Sequence, residues 1–160
     1  MTLTESLEQL NVLAQAMLSK SRLEHSLSVA DTAAIMCQRM KLDTLTGRVI
    51  AMAHDLCKEL PLTEQFALAS GWDMADSQEA IMDSRLAHGP AAATMLSGRG
   101  ILVQPELLEA VAWHTVGKIG MGMYAQVLYA ADKLEPGRGA WRADTRAAWL
   151  SGAFDGPDGM

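Results

Sequence analysis

Apolar residues recur along the chain at spacings of three and four, the repeat of helices that bury one face. A capping-box spacing from Thr2 to Glu5 opens a first segment running to about Leu18, with Leu3, Leu7, Leu10, Ala14 and Met17 on one stripe. A second segment runs from about Arg22 to Met40. Leu42-Asp43-Thr44 then offers a turn and a cap for a third, from about Leu45 to Asp55, and Pro61 closes that region. Thr63 is positioned to cap a short helix ending near Gly71, and residues 72–85 read as a connecting stretch with a helix around Ser77 to Met82. Proline in the first helical turn starts two more helices: one at Gly89-Pro90, stopped by Gly98-Arg99-Gly100, and one from Pro105 to about His114. A loop containing Gly117, Gly120 and Gly122 leads to a helix from Met123 to Glu135, ended by Pro136-Gly137, and Trp141 to Leu150 suits a last short helix. No strand alternation interrupts this series. The pattern predicts an all-α bundle, with one domain over residues 1–139 and a short, partly disordered extension over 140–160, whose tail from Gly152 is rich in glycine, proline and aspartate.

Composition agrees with the periodicity. The 160 residues are 49% apolar but only 5% aromatic, and the excess is alanine, leucine and methionine, which favour helices over strands. A formal charge of −6 argues against sequence-independent nucleic-acid binding, which needs an excess of lysine and arginine. An anionic ligand must therefore meet a local cluster of positive charge. Cys37 and Cys57 have neither a metal-binding nor a disulfide-framework spacing, which suits a reducing compartment. The first residues lack a signal-peptide pattern, and no apolar run approaches the roughly 20 residues that span a bilayer. The expectation is a cytoplasmic protein with no membrane partner.

Several polar residues fall where the helical period assigns an apolar face. His25 continues the stripe of Val29, Ala33 and Met36; His54 follows Ile50 by four; His114 follows Leu107 and Val111; Asp132 follows Tyr124 and Leu128. An unpartnered buried imidazole or carboxylate costs several kcal/mol, so these groups must be satisfied by each other, by hydrogen bonds or by a cation. A lone inward histidine is more often a hydrogen-bonded core residue than a ligand, and Asp132 alone could pair with a lysine or a helix end. The adjacent pair His54-Asp55 shifts the balance, because two consecutive residues at a helix end share an ion usefully only if other helices complete its shell. Imidazole and carboxylate together suit iron, manganese, cobalt or zinc, any of which would acidify a bound water into a nucleophile.

Basic residues cluster near these positions in sequence. Lys58 lies about one helical turn beyond His54-Asp55, Lys133 and Arg138 follow Asp132, and Arg22 precedes His25 by three. They can neutralise phosphate oxygens, although a solvated surface is the commoner fate of such side chains. His88, directly before Gly89-Pro90, sits at a helix N-terminus, a place that favours an anion; alternatively, His88 and His114 hold a second metal. The glycines around Lys118 suit a mobile cover over the site. Cys57 reads as a packing residue, and the four tryptophans as core or interface residues, with Trp113, beside His114, the one candidate nucleobase contact.

The order His25, His54-Asp55, Asp132 resembles the metal-binding pattern of the HD-domain phosphohydrolases. The runs Arg22-Leu23-Glu24-His25-Ser26, His54-Asp55-Leu56-Cys57-Lys58-Glu59-Leu60-Pro61, Leu86-Ala87-His88-Gly89-Pro90, Trp113-His114-Thr115-Val116-Gly117-Lys118 and Ala131-Asp132-Lys133-Leu134-Glu135-Pro136-Gly137-Arg138 look like the bacterial YqeK family, over about residues 15 to 139. That resemblance implies an HD-domain helical bundle that uses iron to cut diadenosine tetraphosphate symmetrically into two ADP. It implies His25, His54, Asp55 and Asp132 as metal ligands, and nucleotide contacts from Arg22, His25, Asp55, Lys58, His88, His114, Asp132, Lys133 and Arg138. Asp55, Lys58, His88 and His114 are the expected catalytic groups. The C-terminus departs from the family, whose members usually continue through further helix. Guanosine tetraphosphate hydrolases typically follow His-Asp with an acidic pair, where this chain has Leu56-Cys57-Lys58. HD-type cyclic dinucleotide phosphodiesterases carry a Gly-Tyr-Pro signature that is missing here. Another HD-type nucleotide phosphohydrolase or phosphodiesterase, or a non-catalytic nucleotide sensor, is the alternative, and the sequence also allows a homodimer.

Overall fold

Side chains at the helix starts choose where each helix begins. Thr2 Oγ1 accepts from the Glu5 amide while the Thr2 amide donates to Glu5 Oε2 at 2.7 Å, the reciprocal box expected from the sequence. Ser19 Oγ accepts from the Arg22 amide, so the second helix begins at Lys20, and Asp43 accepts from the amides of Leu45 and Thr46. A computed structural model describes residues 1–72, 83–139 and 143–150. Among them it has no strand and eight α-helices: α1 (Leu3–Met17), α2 (Lys20–Arg39), α3 (Thr44–Ala53), α4 (Leu62–Ala69), α5 (His88–Gly98), α6 (Pro105–Trp113), α7 (Met123–Leu134) and α8 (Ala143–Leu150), with a 3₁₀ turn at Pro136–Arg138. The helix expected around residues 77–82, Trp141 and the tail from Gly152 lie outside the described residues.

Two boundaries differ from expectation. Thr63 does not cap α4, which starts at Leu62 behind Pro61 with no side-chain cap; the Pro61 carbonyl accepts from the amides of Glu64 and Gln65 at 2.9 and 3.0 Å, which puts Thr63 inside the first turn. The α-helical bonding of α3 stops at Ala53, which leaves His54 as its C-cap and Asp55 in the turns that follow.

The core is built from the expected stripes. Val29, Ala33 and Met36 of α2 are buried together with Val49, Ile50 and Ala53 of α3 and Leu128 and Ala131 of α7. α2 packs on α3 and α7, and α5 lies between α4 and α6. Gly89 sets the approach of α5 to α6, since a Cβ at this position would lie 2.5 Å from the Ala112 carbonyl oxygen. At the chain's far end Arg146 of α8 donates to the carbonyls of Leu134 and Glu135 at 2.5 and 3.0 Å, and Arg39 lies over the buried Trp149 ring. These bonds satisfy carbonyls that the end of α7 leaves free. No helix among the described residues is long and apolar enough to cross a membrane.

This packing gathers helix ends. His54 and His114 cap the C-termini of α3 and α6, Asp132 lies in the last turn of α7, and His88 begins α5. Three carbonyl ends therefore point partial negative charge at one place, which favours a cation.

Candidate active site

His54 and His114 use the same local device. Each turns Nδ1 back to the carbonyl three residues earlier, Ala51 at 2.5 Å and Val111 at 2.7 Å, so in the neutral ring Nδ1 carries the proton and Nε2 presents its lone pair. His54 is fully buried, and its Nε2 has no hydrogen-bond partner. That nitrogen lies 3.5 Å from Asp55 Oδ2 and 3.9 Å from Asp132 Oδ1. His25 brings its own Nε2 to 3.2 Å from Asp132 Oδ1 and 3.7 Å from Asp55 Oδ2. Buried lone pairs aimed at two carboxylates repel unless a positive charge sits among them, so these residues fit a cation.

The electrostatics agree. Burial pushes the Asp55 carboxyl up, but His54, His114 and His88 outweigh it and hold Asp55 well below the usual carboxylate range. Asp132 is also pushed up by burial and held far down by His25, His54 and Lys133. Burial lowers the proton affinity of His54, yet Asp55 and Asp132 raise it above that of an ordinary imidazole. The field that would hold a proton on Nε2 is also the field that would hold a metal ion.

Asp55 faces a second group through its other oxygen: Oδ1 lies 3.3 Å from His88 Nε2 and 3.7 Å from His114 Nε2. Burial pushes His88 down to about 4 and also lowers His114. His25, His54 and Asp55 offer ligand atoms within 4.8 Å of one another, as do Asp55, His88 and His114. This cluster can hold a divalent metal.

Beside the carboxylates opens a cavity of about 310 Å³, lined by Arg22, Lys58, Lys133, Arg138 and Thr115 together with Asp55, Asp132, His88 and His114. Arg22 Nη1 donates to Asp55 Oδ2 at 2.9 Å, Lys133 Nζ to Asp132 Oδ2 at 2.7 Å, and the Arg138 guanidinium to Asp132 Oδ1. Lys58 Nζ sits 3.2 Å from His88 Nδ1, and burial lowers its proton affinity. Glu59 clamps the start of α2 beside them, accepting from the Ser19 amide at 2.5 Å and the Ser19 hydroxyl at 2.7 Å. The candidate metal ligands, His88 and His114, and the four cationic side chains singled out in the sequence are thus brought to one place, with Thr115 the addition.

Lys118 lies away from the cavity: its ammonium pairs with Glu109 and lines a separate groove with Trp72 and Thr94. Trp113 packs against the core, the reading favoured for the tryptophans, and does not line the cavity, so it is not a nucleobase contact there. Cys57 is buried and its thiol is pushed up to about 12, as suits packing. Glu135, buried against His25, was missed; its position three residues after Asp132, just past the helix end and before Pro136-Gly137, is the signal that could have found it.

The HD domain model matches residues 22–137, a span that begins just before His25 and ends just after Asp132. The chain belongs to the HD-domain family. Among HD-domain relatives it is similar to the symmetrical bis(5'-nucleosyl)-tetraphosphatase of Staphylococcus aureus, 28% identical over 133 residues, covering 83% of this chain and 68% of that protein. It is also similar to the protein of the same name from Bacillus subtilis, 28% identical over 123 residues, covering 76% of this chain and 64% of the relative. The chain thus spans about two thirds of these curated relatives. A crystal structure from Clostridium acetobutylicum, described as a predicted HD superfamily hydrolase involved in NAD metabolism, superposes with a TM-score of 0.81 at 27% identity, covering 92% of this chain and 79% of that one.

Proposed function

We propose that the protein is a metal-dependent phosphohydrolase that cleaves diadenosine tetraphosphate symmetrically into two ADP. The observation that carries this reading is the orphaned Nε2 of His54, aimed at Asp55 and Asp132 beside a cavity ringed by Arg22, Lys58, Lys133 and Arg138. His25, His54, Asp55 and Asp132 would hold the cation, for which iron is the first choice and manganese, cobalt or zinc suit the same donors. When bound, that ion supplies Lewis acidity, polarising a phosphoryl oxygen and making a water nucleophilic near neutral pH.

The chain's own residues bind and orient the bridge. Four cationic side chains face two carboxylates in the cavity, a positive surplus suited to a chain of phosphates, each carrying negative charge. Arg22 and Arg138 also line a second cavity of about 400 Å³, with Ser21, Ser28 and His25. A dinucleotide can lay one half on each side of these guanidiniums, with its central anhydride at the carboxylates. Water oxygen bonds to an inner phosphorus and the central bridging oxygen departs with its electron pair, so each product keeps two phosphates. Lys58, Lys133 and Arg138 stabilise charge on the phosphoryl oxygens, and the Lys58 ammonium at the cavity wall is the group that gives a proton to the departing oxygen.

A second ion between His88 and His114 would share Asp55 through Oδ1. It requires lone pairs on both Nε2 atoms, so His88 Nδ1 would carry the proton and Lys58 would have to withdraw. Metal analysis of the loaded protein, returning one or two ions per chain, decides between these occupancies.

The acidic chain and its local cationic pocket suit a cytoplasmic enzyme that acts on a free nucleotide and binds no nucleic acid or membrane. Iron-loaded protein is incubated with diadenosine tetraphosphate and the products are separated by chromatography. ADP as sole product supports the reading, ATP plus AMP rejects symmetrical cleavage, and tight nucleotide binding without hydrolysis identifies a sensor.

A further inference from the structure

Glu135 follows α7 directly, is 3% exposed, lies outside the cavity that Asp55 lines and borders the second cavity beside His25 and Arg138. Both of its carboxylate oxygens are engaged. Oε1 lies 3.2 Å from His25 Nδ1, and Oε2 accepts from the Ser28 hydroxyl at 2.7 Å and from the Gly137 amide at 2.5 Å. Its main chain is held as well, with the amide donating to the Ala131 carbonyl at 2.9 Å and the carbonyl accepting from Arg146. A buried carboxylate with this many fixed donors cannot adjust to its surroundings. Its surroundings adjust to it.

Two consequences follow, one on each side. His25 Nε2 lies as close to Asp132 Oδ1 as Nδ1 does to Glu135 Oε1, 3.2 Å in each case, so carboxylates flank both ring nitrogens. A cation held between Nε2 and the aspartates requires an unprotonated Nε2, and Glu135 is the acceptor that takes the ring's one proton at Nδ1. Without that acceptor the aspartates alone draw the proton to Nε2, the nitrogen the cation needs. On the other side, the bond to the Gly137 amide folds the turn Pro136–Arg138 back onto the carboxylate. The approach is close enough that a Cβ on Gly137 would lie 2.8 and 2.9 Å from the two Glu135 oxygens. From that turn Arg138 Nε donates to the Asp132 carbonyl at 2.7 Å and its guanidinium reaches the Asp132 carboxylate at the cavity wall.

We infer that Glu135 is a positioning residue that sets both halves of the site at once, fixing the His25 tautomer for the cation through Nδ1 and delivering Arg138 to the phosphates through the Gly137 turn. The inference rests on the proposed metal site but not on which nucleotide is cleaved.

The experiment compares Glu135→Ala, His25→Ala and Arg138→Ala by two readouts: Mn²⁺ affinity, and ADP affinity at saturating Mn²⁺. His25→Ala should weaken Mn²⁺ binding and Arg138→Ala should weaken ADP binding. Glu135→Ala should do both, with Mn²⁺ affinity down about tenfold or more and ADP affinity down severalfold. Glu135→Gln, whose amide oxygen can still accept from His25 Nδ1, should recover most of the Mn²⁺ affinity that Glu135→Ala loses. A folded Glu135→Ala protein with unchanged Mn²⁺ affinity overturns the inference. Should that variant not fold, Gly137→Ala presses on the same carboxylate without removing it; it should weaken ADP binding, and unchanged ADP affinity in it is equally fatal. Neither readout uses the dinucleotide, so a wild-type protein that fails to cleave it would remove the proposed substrate and leave this inference standing.

Discussion

His88 and His114 face each other Nε2 to Nε2 across 3.1 Å. Two ring nitrogens this close either share a proton, one donating and the other accepting, or turn both lone pairs on one cation; with no second ion between them the first arrangement holds. His114 Nδ1 already donates to the Val111 carbonyl, so its Nε2 is the acceptor and His88 Nε2 carries the proton. His88 Nδ1 is then a free acceptor, and Lys58 Nζ, 3.2 Å away, donates to it. The protons run in one direction from the cavity wall to the end of α6.

Lys58→Met keeps the apolar stem but removes the ammonium that feeds this chain and faces the cavity. Turnover of diadenosine tetraphosphate should fall about a hundredfold, the scale seen when one preorganised charge-stabilising donor is lost. Metal content should stay at the wild-type level, since Lys58 touches no ligand nitrogen that the first cation uses. Steady-state kinetics alongside metal analysis checks both halves.

Asp55 divides its oxygens between the His25–His54 side and the His88–His114 side. Asp55→Ala should therefore abolish metal retention and turnover together, and Asp55→Asn should do the same, because the amide keeps the shape but loses the charge. Elemental analysis after dialysis is the direct measurement. A variant that keeps a full complement of metal would show that the other ligands suffice.

The helices and the inward direction of His25, His54 and Asp132 were legible because periodicity reports which face of a helix is buried, and those residues interrupt apolar stripes. Partner identity is a different kind of information. Nothing local to Lys118 says that Glu109, on α6, will take its ammonium away from the site, and nothing local to Glu135 says that His25, 110 residues earlier, will be its neighbour. The end of α3 was misplaced by two residues for a related reason. His54 Nδ1 takes the Ala51 carbonyl of its own helix, an end that the apolar pattern alone does not show.

Asp43 accepts from the amides of Leu45 and Thr46 at 3.3 and 2.8 Å and from the Thr46 hydroxyl at 2.5 Å. Removing this cap in Asp43→Ala should destabilise the protein by about 1 kcal/mol at pH 7. The bonds to Thr46 hold the Asp43 carboxyl below its ordinary value of 3.8. The unfolded chain therefore takes up the proton first as pH falls, and the contribution is fully present above 3.8 and lost as pH drops through the folded value. Urea unfolding of both proteins should show a constant difference from pH 5 to 8 that shrinks below pH 4.

Gly89 offers a test of how the fold positions the His88–His114 contact without touching either ring. A Cβ at this position would lie 2.5 Å from the Ala112 carbonyl oxygen and 3.1 Å from that of Val111, which are backbone atoms that no side-chain rotation can clear. In Gly89→Ala the start of α5 must move away from the end of α6, and overpacking of this kind costs about 1–3 kcal/mol. The same movement separates His88 from His114 and carries Lys58's acceptor with it. Thermal unfolding should show a lowered midpoint, and turnover of the surviving folded protein should fall while the His25–His54 side keeps its cation. If activity per folded molecule were unchanged, the 3.1 Å contact would be incidental to the chemistry.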